Sequence, residues 1–363
     1  MDLYNIRKKL HRTPEIAFQE FKTQEIIIEE LKKFPQLTLT KLSPTGLLYK
    51  YEQGLGDYLL FRADMDALPI DEKTNCDYQS LNAGFCHACG HDVHMTILLG
   101  LINYVLGNKL SLNLLFLFQP AEEGLGGAKK VIDSHVLEQY NIKAAYTCHV
   151  SGQFPTGTIA LNKGLMMGIP QEFDINILGK SGHVSTPFQG RDAFLAGVTF
   201  YQTILQLLPK RFPIQEPIIF HIGKIISGTV RNIIPETCRM EGTFRCLKKN
   251  IQDGVIQLMN EVSRSIEQTH QVQIIIDLLC SYEPVINNEQ LVTQLIQNIP
   301  EKISVIHTDY SLTGEDFGFF SNMFPSVLFW LGTNSSEDLH SAKFLADEKS
   351  IDVGIDVFKS ILI

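Results

Sequence analysis

The sequence predicts an α/β protein in two parts, a larger domain built on a mostly parallel sheet with helices on both faces and an inserted ferredoxin-like α+β domain. Three observations carry this. Runs made almost wholly of apolar residues, Tyr58-Leu59-Leu60-Phe61, Leu112 to Phe118 and Val327-Leu328-Phe329-Trp330-Leu331, alternate with helical segments, the pattern of strands covered on both faces. In the middle third the strands instead alternate polar with apolar residues, as in Asp174, Asn176 and Met240, Gly242, Phe244, which suits a sheet with one face buried. A length of 363 residues also exceeds the size at which a single core stops growing.

The elements follow in order. Residues 2–12 and 20–34 read as amphipathic helices, with Leu3, Ile6 and Leu10, then Ile26, Ile27, Leu31 and Phe34, facing inward and Pro14 between them. After the turn Ser43-Pro44-Thr45-Gly46 comes a strand, then the run from Tyr58, which stops at Arg62-Ala63-Asp64-Met65-Asp66. A helix is expected from about Val93 to Leu106, and the strand ending at Phe118 gives way to Gln119-Pro120-Ala121-Glu122-Glu123-Gly124. A glycine-rich turn, a helix around 127–140 and a strand over 144–148 lead into His149. From Gly168 the order is strand (172–178), helix (192–208), strand (217–225), strand (237–245), helix (251–269) and strand (272–279), the split β-α-β arrangement. Residues 1–167 and 283–363 are therefore expected to form one discontinuous domain, with 168–282 inserted.

Composition narrows the class. The net charge of −9, without a clustered basic stripe, gives no sign of a nucleic-acid or acidic-membrane partner. No apolar run approaches the length that spans a bilayer, and residues 1–34 lack the apolar core of a signal peptide. Seven cysteines, an odd number, suit reduced thiols in the cytoplasm better than a disulfide framework.

The densest chemistry lies in Phe85-Cys86-His87-Ala88-Cys89-Gly90-His91-Asp92-Val93-His94. Cys89 and His91, one residue apart, can aim thiolate and imidazole at one point, a pair that suits a borderline-soft ion such as zinc. Further donors must come from elsewhere. Asp64 and Asp66, Glu122 and Glu123, His149 and His340 each sit near the carboxyl end of a buried strand, and in a parallel sheet those ends share the edge where ligands bind. Singly, the aspartates read as turn formers, the glutamates as a solvated helix start and the histidines as surface residues. Their coincidence at one rim points to a metal centre.

The strings R-A-D-M-D-A-L-P (62–69), H-A-C-G-H-D (87–92), F-Q-P-A-E-E-G (118–124), G-H-x-x-x-P (182–187), N-I-I-P (232–235), G-E-D-F-G (314–318) and L-H-S-A-K (339–343) resemble the aminoacylase and carboxypeptidase-like metallo-amidohydrolases. Within that family the chain looks most like the bacterial N-acetyldiaminopimelate deacetylases, on Leu10-His11, Pro14-Glu15, F-Q-E-F-K-T-Q (18–24), P-A-E-E-G-L-G-G-A-K (120–129) and F-W-L-G (329–332). The resemblance implies two divalent metal ions (zinc, cobalt, manganese or nickel) held by Cys89, His91, Glu123, His149 and His340, with Glu122 as general base. Asp64, Asp66 and Asp92 would orient ligands, with Asp66 also counted in the catalytic group. His87 and His94 match no ligand position. His183 would stabilise the oxyanion from the partner subunit of a homodimer formed through the inserted domain, which also serves as a lid, and Asn232 would hold the substrate carboxylate. Their plainer readings are a loop histidine and a strand-end turn residue.

The expected reaction is hydrolysis of a small N-acyl amino acid, N-acetyl-LL-2,6-diaminopimelate yielding LL-2,6-diaminopimelate and acetate in lysine and diaminopimelate biosynthesis. A broader N-acyl-amino-acid or aminoacyl-peptide hydrolase and a non-catalytic metal-holding module are the alternatives; retention of Glu122 speaks against the last. Two departures from the family pattern stand out: Val184-Ser185-Thr186-Pro187-Phe188 follows His183, and Leu339-His340-Ser341 keeps one histidine where relatives often have two.

Overall fold

The computed structural model describes residues 1–363. In the first part of the chain the elements are α1 (Leu3–Arg12), α2 (Phe21–Leu31), β1 (Leu37–Leu42), β2 (Gly46–Glu52), β3 (Tyr58–Asp64), α3 (His91–Asn108), β4 (Asn113–Gln119), α4 (Gly127–Asp133), β5 (Ile142–Ser151), β6 (Thr158–Leu161) and β7 (Gly164–Met167). There follow β8 (Ile169–Leu178), α5 (Ala193–Arg211), β9 (Ile219–Ser227), β10 (Thr237–Cys246), α6 (Lys249–His270) and β11 (Gln273–Ser281). The chain ends with β12 (Val285–Asn287), α7 (Glu289–Asn298), β13 (Ser304–His307), α8 (Gly318–Met323), β14 (Ser326–Gly332) and α9 (Lys349–Ile361).

Two compact units result. The first comprises Met1–Met166, Val285–Tyr310 and Glu315–Ile363; the second comprises Met167–Pro284 with Ser311–Gly314. The short segment Ser311–Gly314 goes with the second unit because Ser311 bridges Met167 and accepts the Gly168 N–H at 2.8 Å.

The first unit is built on an eight-stranded mixed sheet in the order β1-β2-β4-β3-β5-β14-β6-β13. Its centre, β4-β3-β5-β14, is parallel, and antiparallel pairing appears only beside β1, β2 and β6. β3, β4, β5 and β14 are apolar on both faces because both faces are covered. On one, Phe61 lies against Phe116, Tyr146 and Phe358 at ring separations of 6.4, 5.5 and 5.2 Å. On the other, Leu60, Leu115, Leu117 and Leu328 are equally buried. α3 is apolar nearly all round and lies between α1, α9 and the sheet, a position in which a solvent-facing polar stripe would have no water to meet.

The second unit is a four-stranded antiparallel sheet in the order β11-β8-β10-β9, with α5 and α6 packed on its apolar face around Phe173, Phe200, Phe244 and Met259. The β-α-β-β-α-β succession with this strand order is ferredoxin-like.

Element ends differ from the sequence reading in two informative places. The expected helix over 127–140 stops at Asp133 and continues as turns, with His135 in a left-handed conformation at φ 58°. The strand before His149 runs on to Ser151, paired in parallel with β14 through Trp330, so His149 lies within the strand rather than beyond it.

Because Phe61 joins three rings from β4, β5 and α9, Phe61→Ala should lower the unfolding free energy by about 3–5 kcal/mol. Equilibrium urea denaturation of the full chain measures this; a loss below about 1 kcal/mol would show that the cluster is not central to the core.

Candidate functional site

Four of the expected donor segments leave the sheet at or near strand ends, and the fifth opens a helix. Gly90 precedes α3 with φ 78°, and a Cβ there would fall 2.4 Å from Val150 Cγ2, so only glycine permits the turn that places Cys89 before α3 and His91 at its first residue. The Glu122-Glu123 segment follows β4, and Asp66 fixes it by accepting both backbone N–H groups, from Glu122 at 3.0 Å and Glu123 at 2.9 Å. Glu20, fully buried, accepts the N–H of Ala121 at 2.9 Å, and Ala121 itself is left-handed at φ 56°. His340, also left-handed at φ 66°, donates its backbone N–H to Ala88 O at 2.9 Å, which ties the loop after β14 to the Cys89 turn. Three of these backbones are held in the left-handed region, a cost the surroundings must offset.

The five side chains meet. Cys89 Sγ lies 3.3 Å from His149 Nε2, and Glu123 Oε1 lies 3.2 Å from His340 Nε2. Donor atoms of Cys89, His91 and His149, of Cys89, Glu123 and His340, and of His91, Glu122 and Glu123 fall within 4.8 Å of one another, three overlapping groups that share members. His149 Nδ1 faces Val150 O at 2.8 Å, so the proton on that nitrogen is donated to the carbonyl and the Nε2 lone pair faces Cys89.

The aspartates divide. Asp64 accepts from His94 Nδ1 at 2.6 Å and from Arg62 Nη1 at 2.7 Å, and His94 Nε2 accepts the Val150 N–H at 2.9 Å. Both His94 nitrogens are thus committed to positioning the strand that carries His149. Asp66 Oδ1 stands 3.5 Å from His91 Nδ1, an electrostatic contact rather than a hydrogen bond. Asp92 departs from the expectation that it orients a ligand: its carboxylate turns to Arg7 Nε at 3.1 Å and His11 Nδ1 at 2.9 Å, on the side of α1. Position i+1 on the first turn of α3 carries it away from the direction of His91.

His183 and Asn232 lie together in the second unit. Residues 183 and 233 form an antiparallel bridge, Val184 N–H donates to Asn232 O at 3.3 Å, and both side chains are exposed, with His183 Nδ1 2.6 Å from Ser185 Oγ.

Electrostatics describe a centre short of positive charge. Burial opposes protonation of His91, yet Asp64, Asp66 and Glu123 outweigh it and push the pKa up to about 10. Burial raises the Cys89 thiol well above its usual value, and Glu123, Glu122 and Asp64 raise it further. Glu122 is likewise raised well above the carboxylate range by burial and by Glu315, Glu123 and Asp316. Burial opposes ionisation of Glu123, but His340 and His91 bring it below its ordinary value. His149, buried beside His94, falls to about 3 and stays neutral.

Neither ring nitrogen of buried His91 has a hydrogen-bond partner, and Glu123 Oε1 has only the ion-pair contact with His340. Buried ring nitrogens without hydrogen bonds, beside a thiol and amid carboxylates that raise His91 and Glu122, fit divalent cations of borderline softness.

Behind this centre lies a network that motif reading did not single out. Arg62, fully buried, donates to Gln119 Oε1 at 2.9 Å, Asp64 at 2.7 Å, Glu315 at 2.9 Å and Asp316 at 2.7 Å. Asp316 also accepts from Gln119 Nε2 and from the Ala128 N–H at 2.8 Å, and its own N–H points to Glu122 Oε1 at 3.4 Å. The signal was present in the sequence: an arginine inside the apolar strand Tyr58-Leu59-Leu60-Phe61-Arg62 must find buried acids.

Residues 60–363 match the sequence profile of peptidase family M20/M25/M40. The N-acetyldiaminopimelate deacetylase of Geobacillus thermodenitrificans is 36% identical over 354 residues, 96% of this chain and 94% of the relative. That of Anoxybacillus flavithermus is 36% identical over 357 residues, covering 97% and 94%. A solved dinuclear metal binding peptidase of the M20 family from Bacillus subtilis superposes with a TM-score of 0.84 at 28% identity, over 99% of this chain and 96% of the other.

Arg62→Leu should destabilise the protein by about 3–5 kcal/mol at pH 7, since three acids lose their partner. Burial alone would raise Asp64, but His91, His94 and Arg62 hold it well below the usual range. Its stabilising contribution is therefore present above the unfolded pKa of about 3.9 and is lost as pH falls. The deficit of the variant should hold down to about pH 4 and shrink below it in denaturation curves; a pH-independent deficit would assign the loss to packing.

Proposed function

The chain belongs to peptidase family M20/M25/M40, and we propose that within it the protein is a metal-dependent N-acyl amidohydrolase, acting on N-acetyl-LL-2,6-diaminopimelate to release acetate and LL-2,6-diaminopimelate. The observation that carries this reading is the carboxylate of Glu122 beside the cluster of Cys89, His91, Glu123, His149 and His340, in a chain about a third identical to N-acetyldiaminopimelate deacetylases over nearly its whole length. Two divalent cations, zinc, cobalt, manganese or nickel, would be held by those five side chains. When bound, such a pair polarises an acyl carbonyl and makes water a better acid.

The chain's own residues account for the rest. Glu122 takes the proton of the attacking water and returns it to the leaving amine nitrogen, so the C–N bond breaks with a neutral amine departing. Asp66 serves this step by holding the Glu122 and Glu123 backbones, and Asp316 by its N–H contact with Glu122. Adjacent glutamates give the division of labour: Glu123, drawn toward His340, coordinates, while Glu122 moves protons. Asp64 keeps His94, and through it the strand bearing His149, in place.

On this reading the first unit is the metal-binding catalytic domain and the second a lid and dimerisation domain. His183 would stabilise the oxyanion across a homodimer, and Asn232 would receive the substrate carboxylate. Their side-by-side placement on an exposed bridge supports a shared role in holding substrate. Dimerisation through the second unit is supported by its two edge strands, where Ile219, Ile225 and Ile226 of β9 and Leu278 and Leu279 of β11 are exposed. Seven free thiols support a reducing, cytoplasmic setting, and no helix is long and apolar enough to cross a membrane.

Glu122→Gln is expected to keep fold and bound metal while lowering kcat by at least the ~10²–10⁴ of a lost acid–base group. Undiminished turnover would reassign the base. Cys89→Ala should lower metal content by elemental analysis, and an unchanged stoichiometry would remove Cys89 from the ligand set. Purified protein with defined metals, assayed on acetyl-diaminopimelate, hippurate and dipeptides, tests the substrate; turnover confined to hippurate or dipeptides would replace the diaminopimelate reading with the broader hydrolase.

A further inference from the structure

We propose that His11, Glu72 and Cys76 form a separate site for one divalent cation of the zinc class, clipping the 72–80 loop to α1. This inference does not rest on the hydrolytic reading, since the three residues share no donor with the cluster around Cys89.

The donors come from three points of the first unit. His11 Nε2 lies 3.2 Å from Glu72 Oε1, and Cys76 Sγ lies 3.9 Å from the same oxygen, with all three donor atoms within 4.8 Å of one another. A tetrahedral zinc ion with nitrogen and oxygen at about 2.0–2.1 Å and sulfur at about 2.3 Å sets neighbouring donors roughly 3.3–3.8 Å apart. The observed spacing therefore needs only small adjustments.

Each donor is already oriented by a partner on its far side. Asp92 stands 2.9 Å from His11 Nδ1 and so turns Nε2 toward Glu72, the carboxylate–histidine arrangement common behind metal ligands. Glu72 Oε2 accepts the Ser80 N–H at 2.6 Å, which directs Oε1 inward. Thr74 Oγ1 contacts both Glu72 Oε1 and Cys76 Sγ, bringing the two donors of the loop onto one side.

The loop is held to α1 on both flanks as well. Arg12 donates to Asp77 O at 2.7 Å and Arg7 to Tyr78 Oη at 3.3 Å, while Leu81 N–H donates to Arg12 O at 2.9 Å. The His11 and Glu72 side chains are buried while Cys76 is half-buried, so the thiol side is where an ion can enter and water can complete a fourth position. One sulfur, one nitrogen and one oxygen favour zinc or cobalt over magnesium or calcium. An ion held there would pin the 72–80 loop against α1.

The test uses the full chain, stripped with chelator and reloaded with excess Zn²⁺ before unbound metal is removed. By elemental analysis the wild type should hold one more zinc per chain than Cys76→Ser or Glu72→Gln, with hydrolysis at saturating metal kept in both variants. In the cobalt-loaded form, Cys89→Ser should retain a thiolate-to-cobalt charge-transfer band that disappears when Cys76→Ser is added. Equal zinc content in wild type and both variants, together with no thiolate band in Cys89→Ser, would overturn the proposal whatever the substrate proves to be.

Discussion

A single guanidinium with no access to water joins the parts of the centre that sequence separation keeps furthest apart. Arg62 projects from the middle of the sheet and binds Asp64 at the end of its own strand, Gln119 at the end of the neighbouring strand, and Glu315 and Asp316 some 250 residues later. Burial works against its charge, but Glu315, Asp64 and Asp316 more than offset this and hold its pKa above the ordinary value. An arrangement of this kind is costly to bury and costlier to break. Its effect is geometric: it fixes where β3 and β4 end, and so where Asp66 and the two glutamates begin.

From that anchor the centre is assembled by backbone capture as much as by side-chain contact. Asp66 takes the N–H groups of both glutamates, Glu20 takes that of Ala121, Ala88 takes that of His340, and Val150 hands its N–H to His94. Each bond removes a degree of freedom from a segment that bears a donor. The left-handed conformations of Gly90, Ala121 and His340 show how sharply the chain must turn to bring those segments to one point.

Much of this was legible in the sequence, and the reasons for the rest are physical. The short apolar runs at Tyr58, Leu112 and Val327 located a sheet buried on both faces, because strands covered on both sides are apolar at successive positions. The alternation in residues 172–178 and 237–245 located the one-sided sheet of the second unit. Residue type and place nominated Cys89, His91, the Glu122–Glu123 pair and His340 for one rim, and the structure brings their donor atoms together; which glutamate plays which part came from the family resemblance alone. His149 was found for a slightly wrong reason, since strand pairing with β14 continues through it and no turn residue marks an end. Asp92 faces Arg7 and His11 because one step along a helix swings a side chain by a large angle, which spacing in the sequence does not display. Arg62 was overlooked because its four partners are scattered along the chain, and only folding brings them to one guanidinium.

The charge balance of the first unit follows from these contacts. Asp64, Glu315 and Asp316 pair with one fixed cation, Arg62, which also feels Glu122, while Asp66 and Glu123 act on His91, and the histidines supply charge only when protonated. In the chain alone proton affinity rises at three of these groups: His91 is pushed up to about 10, and Cys89 and Glu122 rise well above their usual values. Protons and a cation would compete for the same donors. Any cation that replaces them releases protons and binds the folded chain in preference to the unfolded one, so occupancy, stability and pH are linked through the same few residues. The acids that Arg62 and the backbone N–H groups hold in place are thus the same ones that would give a bound cation its hold.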